Sequence, residues 1–135
     1  ESGHGAGKEK IQVSQFCYVA ETAKEARAGF DRIATRYIET FADAVVSWKG
    51  VSSDQYPGYD KMVASILATT PQKIIDTNSG FVGTPDEVVK QVQQLRDTFG
   101  ECEPSMQINF GGSTDEEAFR TLNLVGTQVM PKFPD

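Results

Sequence analysis

The apolar positions of this chain keep two rhythms, and the change from one to the other recurs three times. In "IQVSQFCYVAETAKEARAGFDRIATRYIETF" the stretch from Ile11 to Val19 reads as a strand, and after Thr22 the spacing becomes helical. Ile33, Tyr37, Ile38, Phe41 and Val45 carry that helix's apolar face until the chain meets Gly50. In "GFVGTPDEVVKQVQQL" a short strand, Gly80 to Val82, passes through Gly83 into a second helix. Val88, Val89, Val92 and Leu95 fall on one of its faces, and Lys90, Gln91, Gln93 and Gln94 on the other. In "PSMQINFGGSTDEEAFRTLNLVGTQVMP" Met106 to Phe110 predicts a strand and Gly111-Gly112 a turn. Ala118, Leu122, Leu124 and Val125 then predict a helix that Pro131 ends.

Each helix opens on the same punctuation: Thr22 with Glu25, Thr84 with Glu87, Ser113 with Glu116. A hydroxyl at the N-cap accepts a bond from an otherwise unpaired amide, and an acid three residues on can bond back to the cap. Pro85 suits the first helical position because it has no amide to satisfy, and Asp86 and Glu87 sit at the positive end of the helix dipole. Strand, tight turn and capped helix make a βα unit. The caps lie 62 residues apart between Thr22 and Thr84, and 29 apart between Thr84 and Ser113. A parallel βα repeat takes about 30 residues, judged from the size of eight-unit barrels. The second interval is therefore one unit, and the first is one unit plus an insertion.

That insertion spans residues 47–79. "GVSSDQYPGY" is turn-rich, "DKMVASILAT" predicts a short helix over Asp60 to Thr69, and Thr69 to Ser79 reads as polar and irregular apart from Ile74 and Ile75. Excursions between regular units act as lids, substrate walls or interface elements. A plain surface insertion is the competing reading.

Composition narrows the function classes. At 135 residues the chain is one domain at most, and a net charge of -6 argues against a nucleic-acid backbone as partner. No apolar run is long enough to span a bilayer, and no signal peptide is evident. Cys17 and Cys102 lack metal or redox spacing, so they read as reduced thiols in a cytoplasmic setting. His4 is the single histidine and has no partner for catalysis; no metal-ligand cluster, Ser/His/Asp set or phosphate loop is present. The acid pairs Asp86/Glu87 and Glu116/Glu117 fall in first helical turns, where capping and the dipole account for them. The opening "ESGHGAGKEK" lacks a Met, and three parallel strands leave two sheet edges open. Both features lead to the expectation of a larger protein missing its front.

The motifs "FVGTPDEVVKQVQQL" and "MQINFGGSTDEEAFRTLNLVGTQVMPKF" resemble the carboxy-terminal end of the luciferase-like flavin monooxygenases. "IQVSQFCYVAETAKEAR" resembles that family's sixth strand and the head of its sixth helix. The resemblance implies an α/β fold in which residues 1–135 form the last three βα units of a (β/α)₈ TIM barrel. It implies oxidation of a small organic substrate by O₂ and reduced FMN, the flavin being delivered by a separate reductase. The alternatives are a deazaflavin-dependent oxidoreductase of the same fold, or a non-catalytic βα fragment that self-associates. Barrel active sites lie at the carboxy ends of the strands, here Tyr18 to Glu21, Gly80 to Thr84 and Asn109 to Ser113. The resemblance makes Phe81, Val82, Asn109 and Phe110 the candidate wall for flavin or substrate, with Asn109 favoured as a buried amide. The catalytic residues remain unassigned, no metal is implied, and the chain alone is expected to be inactive and to hold no FMN tightly.

Three strands cannot close a barrel. Ile11, Val13, Phe81, Met106 and Ile108 are therefore expected to be partly wet and to drive association, with the missing amino-terminal portion or with another copy of the chain. The alternative is that Tyr56, Tyr59 and the helix after them fold over the gap.

Overall fold

A computed structural model describes residues 11–48, 54 and 57–134. His4 and Tyr56 lie outside these. The order is β1 (Ile11–Val19), α1 (Ala23–Val45), α2 (Tyr59–Leu67), α3 (Pro71–Asp76), β2 (Gly80–Gly83), α4 (Pro85–Phe99), β3 (Cys102–Gln107) and α5 (Asp115–Leu124). A π-helical turn, Val125–Val129, and a 3₁₀ turn, Met130–Lys132, continue from α5.

All strand pairings are parallel. Phe16 stands opposite Gly80 and Val19 opposite Gly83, while Ile11 stands opposite Cys102 and Phe16 opposite Gln107. The sheet order is therefore β2-β1-β3, with β1 in the centre. Successive strand side chains point to opposite faces, and both faces are covered. On one, Tyr18, Ala20 and Val82 pack with Phe30 and Ile33 of α1 and Ile74 of α3. On the other, Cys17, Val19 and Phe81 pack with Val88, Val92 and Leu95 of α4 and with Leu124, Val125 and Val129 after it. Full burial of side chains such as Phe30 and Phe81 stabilises by about 1.5–3 kcal/mol each.

This arrangement covers part of the face expected to be wet. A closed barrel keeps its helices outside and fills its interior with side chains from all its strands. Here the third unit crosses to the far side of β1, and α4 and α5 cover the face that a barrel would enclose. Phe81 is fully buried, and Val13, Met106 and Ile108 pack at the margin of the same cluster. Ile11, at the start of β1, keeps 45% exposure. Apolar surface appears instead on α5 and beyond, at Phe119, Leu122 and Met130; Leu122 thus leaves the core face assigned to it from the sequence.

Strand edges expose unpaired backbone groups, and side chains close two such points. The Val19 amide donates to Thr121 Oγ1 at 3.2 Å, and the same hydroxyl donates to Val19 O at 3.3 Å. On the outer edge of β2, Val82 N donates to Gln91 Oε1 at 2.9 Å, and Gln91 Nε2 donates to Val82 O at 3.1 Å. One side-chain amide thus imitates a neighbouring strand.

Helix starts follow the caps at Thr22 and Thr84, the latter with a complete box to Glu87. The third cap is Thr114 with Glu117, in place of Ser113 with Glu116. The stretch read as irregular contains α3, capped by Thr70 and opened by Pro71, the same Thr-Pro start as α4. β3 lies earlier than Met106 to Phe110, because its pairing with Ile11 to Phe16 fixes its extent. Pro104 is tolerated there because β3 is an edge strand.

The described part of the insertion is helical and packs along α1. α1 starts at the carboxy end of β1 and runs back towards its amino end, where α2 packs against it, and α3 leads directly into β2. Among the described residues the segment packs on α1 and β2.

Candidate functional site

The carboxy end of β1 holds the densest polar network among the described residues. Tyr18 donates its hydroxyl proton to Glu117 Oε1 at 2.7 Å and accepts from an Arg120 guanidinium nitrogen at 3.0 Å. Arg32 of α1 pairs with the same carboxylate oxygen, and Arg120 also lies 5.6 Å over the Tyr18 ring centre. The other oxygen, Glu117 Oε2, accepts the Thr114 amide at 2.9 Å to close the capping box. Glu117 therefore ties β1, α1 and the start of α5 together. Tyr18 reaches it only because α1 carries Gly29 at the crossing: a Cβ there would stand 2.2 Å from the phenol oxygen.

Burial alone would raise the Glu117 pKa. The Thr114 amide, the Arg32 guanidinium and the Tyr18 hydroxyl outweigh it and hold the carboxyl at about 2. Burial raises the Tyr18 pKa, and the Glu117 hydrogen bond and charge raise it further, against the opposing pull of Arg120. Near neutral pH the pair is a carboxylate and an intact phenol. General acid–base work favours a pKa near the operating pH, and neither group has one. The network is a strut that fixes the strand-end loops, with Arg120 Nε left buried and unpartnered.

Of the candidate wall residues, Phe81 and Val82 are fully buried on opposite faces of the sheet. Phe110 is half-buried in an aromatic cluster, 4.8 Å from Phe16 and 6.2 Å from Phe30 between ring centres. Asn109 is exposed beyond the end of β3 and accepts the Ser113 hydroxyl at 3.0 Å, which corrects its reading as a buried amide. The four residues do not converge on one open surface. The Gly111-Gly112 turn lies against α1: both residues take positive φ, and a Cβ on Gly111 would stand 2.0 Å from Ile33 O. Cys17 is buried and its thiol is pushed up to about 12, so it is inert. No group of three or more His, Cys, Asp or Glu side chains is placed to hold a metal among the described residues.

The sequence reading placed Tyr18 at a strand end and Gln91 on a polar helix face without giving either a role, and it missed Arg32, Arg120 and Thr121. A tyrosine at a strand end and two arginines on flanking helices were the available signal, but their convergence depends on a strand order that no local pattern encodes.

No family model and no curated protein matches the chain. Solved structures do. The monooxygenase RslO1 from Streptomyces bottropensis is similar over 98% of this chain, with 25% identity and a TM-score of 0.60, and 33% of its own length is covered. The oxygenating constituent of 3,6-diketocamphane monooxygenase from the CAM plasmid of Pseudomonas putida is a Type II Baeyer-Villiger enzyme solved in complex with FMN. It matches 91% of this chain at 21% identity and a TM-score of 0.59, with 33% of its length covered. Apo-MsnO8 matches 93% at 20% identity and a TM-score of 0.53, with 36% covered. The chain spans about a third of the length of these proteins. No helix among the described residues is long and apolar enough to cross a membrane. With three parallel capped βα units and this likeness along nearly its whole length, the chain resembles one third of a luciferase-like flavin monooxygenase barrel.

Proposed function

We propose that the chain is part of an FMN-dependent, luciferase-like monooxygenase that oxidises a small organic substrate with O₂ and reduced flavin, acting in the cytoplasm with a separate flavin reductase. The carrying observation is the match of the three parallel βα units, over 98% of the chain, to a monooxygenase. A second match, over 91%, is to an enzyme in complex with FMN.

The residues on this chain do not by themselves fit a flavin site. Phe81 and Val82 offer no surface, Phe110 is packed against other rings, and Asn109 alone is open. Under this proposal the phosphate and most ring contacts come from the rest of the barrel, where the flavin supplies the oxygen chemistry. This chain contributes a rigid wall, braced at its carboxy end by Tyr18, Glu117 and Arg32.

One observation favours a second reading, a non-catalytic βα unit that self-associates. Phe119, Leu122 and Met130 are 70%, 56% and 63% exposed, a run of apolar surface suited to another copy or to the rest of a barrel. The product of the complete reading frame encoding this chain distinguishes the proposals. The monooxygenase reading expects it to bind FMN and, with a flavin reductase, to consume O₂ in the presence of substrate. Selective binding of a deazaflavin would move the assignment to that oxidoreductase class, and absence of binding to either cofactor would overturn both.

A further inference from the structure

At the amino end of β2, beside the ring cluster that holds Phe110, the structure carries a further feature. A concavity of about 450 Å³, open on one side, lies between β1, the second half of α1, and helices α2 and α3. Small-molecule sites typically enclose about 300–1,000 Å³ and combine apolar walls with a few polar groups. The walls here are Phe16, Tyr37, Phe41 and Ile66. Tyr37 and Phe41 stack with ring centres 6.0 Å apart, and Phe16 meets Tyr37 edge-on at 5.2 Å. Phe41 nevertheless remains 41% exposed. Ring faces and edges presented in this way favour a flat aromatic partner.

The polar groups set the sign of the ligand. The Thr69 and Thr77 hydroxyls are spent on their own helices, donating to Ser65 O and Lys73 O at 2.9 and 2.8 Å. The Tyr37 hydroxyl, the Ser65 hydroxyl and the Lys73 ammonium have no hydrogen-bond or ion-pair partner among the described residues. All three can donate, one is a cation, and no lining residue is acidic. Unmatched donors beside an apolar wall call for an anionic acceptor on an apolar body.

We propose that this concavity binds a small aromatic carboxylate, with its ring against Tyr37 and Phe41 and its carboxylate towards Lys73. The test titrates the purified chain with 2-naphthoate and with the neutral analogue 2-naphthylmethanol, read by ligand fluorescence anisotropy. Naphthoate should saturate one site and bind at least about tenfold more tightly than the alcohol. Lys73→Glu, at an exposed position, should remove that preference and leave the alcohol's affinity unchanged. Phe41→Ala should weaken both ligands several-fold, with circular dichroism checking that the fold persists. Equal affinities for acid and alcohol, insensitivity of naphthoate to Lys73→Glu, or no saturable binding up to about 1 mM would each overturn the proposal.

Discussion

At the carboxy ends of the strands the backbone edges are closed by side chains of the same chain, Thr121 on Val19 and Gln91 on Val82, while Glu117 holds the Tyr18 hydroxyl and the α5 cap. At the amino end the sheet meets α2 and α3 around an open apolar hollow, with a lysine and two hydroxyls unpaired among the described residues. The contrast shows that position in a fold does not dictate openness. The end where a barrel would place its chemistry is here the tied end, and the end used for structural turns is the one with room for a ligand.

The largest effect is expected where one hydroxyl satisfies two backbone groups. Thr121→Val keeps shape but orphans the buried Val19 amide and carbonyl, at about 1–3 kcal/mol per group. Urea unfolding checks this, and a loss under about 0.5 kcal/mol, within the range of ordinary surface changes, would show that water replaces the hydroxyl. Gln91→Ala should cost less, about 1–2 kcal/mol, because Gln91 is itself only half-buried and its truncation lets water reach the Val82 groups.

The strut at Glu117 gives the comparison a pH dependence. Its folded pKa of about 2 lies below the ordinary 4.5, so it stabilises fully above pH 4.5 and loses that contribution as pH falls through about 2. Glu117→Gln should therefore be less stable than the parent at pH 7, with the gap narrowing as pH falls from about 4.5 towards 2. Melts at pH 7, 4 and 2.5 that kept a constant gap would contradict the network. Thr84→Ala is expected to cost about 1 kcal/mol. Glu87→Ala should then cost less in the Thr84→Ala background than alone, because the two form one capping box. Strict additivity would break that reading.

These elements also show what a sequence makes legible. Thr84, Pro85 and Glu87 could be placed because a capping box is satisfied within four residues. The stretch "STDEE" holds two overlapping boxes of equal local merit. Thr114–Glu117 is chosen because Glu117 also reaches Tyr18 and Arg32, while Ser113 is spent on Asn109. α3 was legible and missed: Thr70-Pro71 repeats the α4 start, but Lys73 occupies the position where Glu87 completes the box. Strand order lay beyond local pattern. Nothing near Cys102 to Gln107 indicates that it pairs with β1 across the sheet, and the burial of Phe81 and the exposure of Asn109 follow from that choice.

This chain resembles a third of a flavin monooxygenase barrel, and its strand ends are closed by its own side chains, so it is expected not to hold the cofactor alone. Equilibrium dialysis of the purified chain against FMN tests it most directly. The predicted result is no saturable binding tighter than about 1 mM; a Kd near 1 μM, about 4 kcal/mol stronger, would contradict it and place a formed flavin site on this chain.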